Sequence, residues 1–397
     1  MQTAASNPAA GRYPIAVAAI ALLIAGVFMP TPLYQLYHRE WGLTSGQISI
    51  VFAIYAASLI PSLLFLGGIS DGIGRRKTLL IAIAIAALGS LAFAFASGLW
   101  WLIAARALQG VALGIGLPTA VAAVREWMDD AMRSRAGTLA IVGTSVGSAF
   151  GALLAGILAE YAPLPNTLSF LVYIVLLAGL AVAVASVPSC PHLGPASHEN
   201  FPTIPRAIRR PFLVASGESF IGWATLAIFV SLLPSFLAQG LGVHNLLLGG
   251  IIVADMQFGM LVASLTGRGL SNRVAIILAM LGLGAGFWLL LLAEPHQLYA
   301  LIVVAIFVAG FGNGLSYLAG LDIVNRIAPP EHRAETLSAY LVSCYLGFSV
   351  PALGVGAVAD YVGLYKAIIS GAIALGVIAV VMILVTTDRN LKTTSAQ

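Results

Sequence analysis

Apolar runs of about 20 residues return twelve times along this chain, each closed by charged residues or by Pro/Gly clusters. Such a run is long enough to cross ~30 Å of hydrocarbon as an α-helix. Inside a bilayer a helix satisfies its own backbone N–H and C=O groups, which an open strand or loop does not. We place the twelve helices at 13–37, 46–68, 77–96, 99–124, 137–160, 165–187, 211–237, 246–267, 274–293, 297–325, 335–360 and 364–386. The expected fold class is an all-α membrane protein.

Charged residues make up only 9% of the 397-residue chain, against 60% apolar ones; a soluble domain carries about 25% charged residues. A surface that poor in charge belongs in lipid. The formal net charge of +4 is scattered over short connections, with no basic patch interleaved with aromatics, so nucleic acid is not an expected partner. Two cysteines, Cys190 in a polar stretch and Cys344 in an apolar one, do not make a disulfide framework. The polar leader Met1–Arg12 runs into an apolar stretch too long for a signal h-region, so the first helix is expected to stay as an anchor.

The longest polar interruption, 188–210, contains Pro191, Pro195, Pro202, Pro205, His192, His198, Arg206, Arg209 and Arg210. It divides the chain into a six-helix half at 1–187, a linker at 188–210 and a second six-helix half at 211–397. Short cytoplasmic loops carry an excess of Lys and Arg. With both termini in the cytoplasm, sixteen of the nineteen basic residues fall on the inner side, Arg39 and Lys366 fall outside, and Arg106 lies within a span. The expected location is a bacterial cytoplasmic (inner) membrane.

The halves echo each other at an offset near 200. Gly110 and Gly114 answer Gly310 and Gly314, Gly42 answers Gly242, and Glu160-Tyr161 answers Asp360-Tyr361. Arg106 and Gln109 break the echo, because Ile306 and Ala309 stand in the matching places. A lone Arg in a span costs about 2.5–3.5 kcal/mol on insertion scales and belongs against a cavity or a partner. Packing alone does not require that asymmetry.

One short connection carries four charges. Residues 67–77 read Gly-Gly-Ile-Ser-Asp-Gly-Ile-Gly-Arg-Arg-Lys. Gly67, Ile69, Asp71, Gly74, Arg75 and Arg76 fit G-x-L-x-D-R-x-G-R-K, and Gly72 stands where Arg is usual. The run resembles the loop between helices 2 and 3 of the major facilitator superfamily, in particular its 12-helix drug or metabolite:proton antiporters. That resemblance implies two pseudo-symmetric six-helix halves with the substrate site near the midplane between them. It also implies that Asp71 meets the start of helix 11, near Ala334–Thr336. Arg75 or Arg76 can pair with Glu126, Asp129 or Asp130, so the loop is expected to act as a gate that latches the inner side. Gly67 and Gly74 are expected to permit the tight turn and close backbone approach.

Arg106, Gln109 and Gly110, with Gly114 just beyond, resemble the family's helix-4 motif R-x-x-Q-G-x-G-A-A, which is associated with proton-coupled members. Gly143, Gly147 and Gly151 resemble its exporter-associated helix-5 motif, with Ser148 in place of Pro and Ala152 in place of Gly. Small residues spaced by four also explain that run as helix packing. Gly143-Thr144-Ser145-Val146-Gly147 fits G-x-S-x-G, but a nucleophile elbow needs a strand-to-helix turn, and this serine sits in a continuous apolar helix. The chain is not expected to be an enzyme.

Two carboxylates fall inside spans of the second half, Glu218 about seven residues into the seventh and Asp255 about nine into the eighth. A carboxyl withdrawn from water disfavours its charged form and can exchange a proton in step with transport. Arg106, Asp255 and Glu218 are therefore the proton-coupling candidates, with Asp255→Asn expected to abolish uphill transport. Tyr34, Gln35, Tyr55, Trp223, Gln257, Asn313, Tyr317 and Tyr345 are the cavity candidates, alongside Tyr37. Asp322, near a helix end, reads as structural. No cofactor and no metal are expected.

The expectation for function is a proton-coupled exporter of small organic molecules working by alternating access, as a monomer in the bilayer. The alternatives are a proton-coupled uptake symporter for a sugar or organic acid, and a non-transporting membrane receptor or scaffold.

Overall fold

The computed structural model of the chain describes residue 9 and residues 11–188, 204–242, 245–293, 295–329 and 332–387. Most of the expected 188–210 linker, with Cys190, lies outside the described residues, as do Arg389 and Lys392.

Fifteen α-helices are described, and twelve spans are long and apolar enough to cross a membrane. The first half contains α1 (Tyr13–Phe28), α2 (Pro30–Trp41), α3 (Ser45–Leu66), α4 (Ile69–Ile73), α5 (Arg75–Ala94), α6 (Leu99–Glu126), α7 (Ala136–Tyr161) and α8 (Leu168–Ala185). The second contains α9 (Arg209–Ser231), α10 (Leu233–Leu241), α11 (Leu247–Thr266), α12 (Asn272–Ala293), α13 (Tyr299–Ile327), α14 (Arg333–Val362) and α15 (Leu364–Thr387). No strand occurs among the described residues.

The first span of each half is broken in the same place. α1 passes into α2 at Met29, before Pro30 and Pro32, and α9 passes into α10 at Leu232, before Pro234. Proline has no N–H to donate to the carbonyl four residues back, and its ring crowds that carbonyl. The apolar runs at 13–37 and 211–237 predict continuous helices, and the prolines break both.

The glycine echo is a packing device. A Cβ on Gly110 of α6 would lie 2.3 Å from the Tyr55 carbonyl of α3, and one on Gly310 of α13 would lie 2.1 Å from the Met256 carbonyl of α11. Each half thus seats its fourth span on the backbone of its second. Gly147 and Gly151 seat α7 on α1 likewise, with Cβ positions 2.2 Å from the Ala21 and Ala25 carbonyls. Close small-residue packing of this kind supplies association between helices that lipid itself does not drive. The halves meet where α3 packs on α14 and α7 on α11.

Candidate translocation site

Arg106 is the largest fully buried side chain, 1% exposed in the middle of the first half. Its Nη1 donates to the Val27 carbonyl at 2.7 Å and to Gln109 Oε1 at 3.0 Å, and its Nη2 donates to the Tyr34 hydroxyl. Gln109 Nε2 in turn donates to the Gly26 carbonyl at 2.8 Å. The guanidinium carbon lies 5.6 Å from the Tyr34 ring centre and 5.9 Å from those of Tyr55 and Phe93, within cation–π range. So Arg106 and Gln109 cap the last carbonyls of α1 where the proline break begins. α9 is broken at the equivalent point, yet Ile306 and Ala309 replace the capping pair there. This is the physical content of the broken echo.

From Tyr55 an aromatic chain crosses into the second half. Phe348 of α14 lies 6.2 Å from Tyr55 and 4.6 Å from Phe52, ring centre to ring centre. Trp223 of α9 lies 5.7 Å from Phe348, 5.2 Å from Tyr345 and 6.0 Å from Tyr317. Five of the predicted cavity residues are therefore brought together: Tyr34, Tyr55, Trp223, Tyr317 and Tyr345. Phe52 and Phe348, which join them, were not singled out from sequence because an apolar aromatic in a span carries no distinguishing signal. Trp223 Nε1, Asn313 Oδ1 and Gln35 Nε2 are buried atoms without a hydrogen-bond partner, and Gln257 is buried on α11.

Glu218 is 0% exposed, and neither carboxyl oxygen has a partner. It faces α13, where Gly320 makes room. A Cβ at Gly320 would lie 2.8 Å from Glu218 Oε1, 2.7 Å from the Tyr340 hydroxyl and 2.4 Å from Ser219 Oγ. Ser219 Oγ and the Tyr340 hydroxyl bond to each other at 2.7 Å. Cys344 is buried in the same cluster. Nothing in the linear sequence tied Gly320 or Tyr340 to Glu218.

Asp255 lies on α11, in the second span of the second half. It is four residues from Ile251 and three from Phe258, which are 42% and 58% exposed. Residues at that spacing share a helix face, so Asp255 is half-buried on the more open side of α11, with its Oδ2 buried and without a hydrogen-bond partner. Gln257, on the other side of α11, is buried. Asp322 accepts from Asn272 at 2.8 Å and pairs with Arg326 at 2.9 Å, which ties helix ends together.

The charged loop folds as α4 followed directly by α5. Arg75 pairs with Asp71 at 2.6 Å and with Glu126 at 2.8 Å, and it also donates to Ser70 Oγ. Of the three acids considered from sequence, Glu126 is Arg75's partner. Arg76 Nη1 donates to the Val187 carbonyl at 3.1 Å. Gly74 adopts φ 89°, the left-handed turn expected of it, whereas Gly67 is helical at φ −59° and serves the close backbone approach, since a Cβ there would lie 2.4 Å from the Leu63 carbonyl.

The family model of the Major Facilitator Superfamily matches residues 16–350 and 258–397. The chain belongs to the Major Facilitator Superfamily. Among its relatives in that superfamily, the gallate transporter of Pseudomonas putida is 34% identical over 116 residues, covering 29% of this chain and 26% of that one. The multidrug resistance protein MdtL of Shigella dysenteriae serotype 1 is 23% identical over 305 residues, covering 75% and 76%. The relatives matched at 33–34% identity are spanned over only 32%, 26% and 22% of their own lengths. The crystal structure of the nucleoside transporter NupG superposes with a TM-score of 0.77 at 13% identity, covering 96% of this chain and all of that one. At that identity the likeness is one of fold. It is that of a Major Facilitator Superfamily transporter.

Proposed function

We propose that this protein is a proton-coupled secondary transporter that exports small organic molecules by alternating access. It would sit in a bacterial cytoplasmic membrane with its arginine-rich face and both termini in the cytoplasm. The observation that carries proton coupling is Glu218, sealed inside the second half with both carboxyl oxygens unbonded. An unpaired carboxylate in such surroundings is costly, so a proton is its natural companion in this state. Release then requires the surroundings to change, and rocking of one half against the other supplies that change. Arg106 acts from the first half as a fixed buried charge that holds α1 at its break. The aromatic bridge from Tyr55 to Trp223 offers a surface for an organic substrate between the two.

Export is favoured by similarity to a multidrug resistance protein along three quarters of the chain, and by the helix-5 motif resemblance, while the helix-4 motif resemblance favours proton coupling. Uptake by symport is the second reading, supported by the shorter but closer match to a gallate transporter. The direction of flux decides between them. Purified protein in liposomes is given an imposed pH gradient and either gallate or a panel of cationic, zwitterionic and neutral organic compounds. Substrate moving against the proton flow supports export, and gallate moving with it supports symport. Flux indifferent to the gradient removes proton coupling.

A further inference from the structure

On the arginine-poor face, the two halves are tied by a pair of bonds that obey the 200-residue echo. Glu160, near the end of α7, accepts from the Leu246 N–H at the start of α11, at 2.7 Å. Asp360, near the end of α14, accepts from the Gly46 N–H at the start of α3, at 3.1 Å to each carboxylate oxygen. Acid and amide are both displaced by the same number: 160 to 360, and 46 to 246. Each acid ends the fifth span of its own half and reaches the N-terminus of the second span of the other. Thr44, the N-cap of α3, adds a donation from its hydroxyl to Asp360 Oδ2 at 2.8 Å.

The first N–H groups of a helix have no partner within it, and the aligned peptide dipoles make that end positive. A carboxylate placed there from the opposite half satisfies both demands. Closure on this face therefore needs no basic side chain, consistent with its holding only Arg39 and Lys366 by the charge-bias topology. Gly46 is part of the fit, because a Cβ there would stand 2.4 Å from Asp360 Oδ2. Two further cross-half contacts sit at this end: Asn245 Nδ2 donates to the Tyr161 hydroxyl at 3.5 Å, and Gly249 approaches Pro32.

We propose that Glu160 and Asp360 are the paired latches of the arginine-poor face, and that both let go when the centre opens to that side. This rests on the alternating-access reading. The test places spin labels at Arg39→Cys and Lys366→Cys in a background with Cys190 and Cys344 replaced by Ser, and measures the distance distribution in liposomes. Glu160→Ala with Asp360→Ala shifts the balance from short to long distances by about a hundredfold, since each lost bond to a charged group is worth about tenfold or more. Each single variant shifts it partway and by a similar amount. Glu160→Gln with Asp360→Asn keeps the shape and an acceptor oxygen, so it shifts the balance less than the alanine pair. An unchanged distribution in the folded alanine pair, judged by size-exclusion profile and melting, overturns the latch. A shift toward long distances with no flux of any compound leaves the latch standing and removes the transport reading instead.

Discussion

Gln109 Nε2 donates to the Gly26 carbonyl at 2.8 Å, and that carbonyl is free because Pro30, four residues on, has no N–H to give it. The helix-4 motif residue and the helix-1 proline are two parts of one device. α6 supplies from its side the hydrogen bond that α1 cannot complete.

This pairing predicts non-additivity. Gln109→Ala leaves the Gly26 carbonyl buried and unpaired, at a cost of about 1–3 kcal/mol. In Pro30→Ala the helix supplies the missing N–H, so the same Gln109→Ala change costs much less. Melting of the four proteins in detergent gives the coupling, and equal costs in both backgrounds would remove the cap explanation.

Arg106→Lys keeps the charge but cannot reach the Val27 carbonyl, Gln109 and Tyr34 together, because it lacks the planar fork. We expect a folded protein with lowered stability and little transport. Arg106→Ala strands the Val27 carbonyl and Gln109 in a dry core and is expected to cost about 3 kcal/mol or more, as breaking a buried charged cluster does. Thermal melting and initial transport rates separate the two variants. Wild-type rates in Arg106→Lys would make Arg106 a structural charge only.

Gly320→Ala places a methyl among Glu218, Ser219 and Tyr340. Overpacking of this kind costs about 1–3 kcal/mol, and the displaced carboxyl is expected to lose its role. Glu218→Gln is the companion variant. It preserves shape, so it is expected to fold as the parent does and to lose gradient-driven flux while keeping exchange of substrate across the membrane. Uphill transport by Glu218→Gln at the parent rate would take Glu218 out of the coupling step.

Asp255→Asn is expected to impair uphill transport less than Glu218→Gln does. Asp255 is half-buried, with Oδ2 unpaired, on a side of α11 that also carries the exposed Ile251 and Phe258, whereas Glu218 is fully buried with both oxygens unpaired. Asn keeps the shape of Asp and removes an unpaired acid, so the variant is expected to fold as the parent does. Proton-driven flux measured beside Glu218→Gln checks this. If Asp255→Asn abolishes uphill transport, as the sequence alone suggested, the carboxylate reaches the translocation path in another state.

Arg75→Ala removes the partner shared by Asp71 and Glu126. The pairs are partly exposed, so we expect a stability loss of only about 1 kcal/mol but a larger fall in turnover. Adding Glu126→Ala should then cost less than it does in the parent, because the Arg75 pair is already gone. Additive losses in initial rate would mean that Arg75 and Glu126 act separately.

The sequence by itself determined the spans, the echo and the chemistry of the loop. Hydrocarbon thickness fixes run length, charge fixes where a run stops, and a repeated half repeats its glycines at one offset. Gly110 and Gly310 could be read as a pair because steric need follows position in the chain. The same linear signal could not distinguish Glu218 from Asp255, since both are acids within apolar runs. Only the tertiary structure decided that Glu218 is fully buried beside Gly320 while Asp255 is half-buried, because a side chain's surroundings are set by its angle on the helix and by which helix lies opposite. The pairing of Glu160 with Leu246 and of Asp360 with Gly46 was decided there too. Its partners sit at the ends of different halves, and no local rule connects them until the halves have packed.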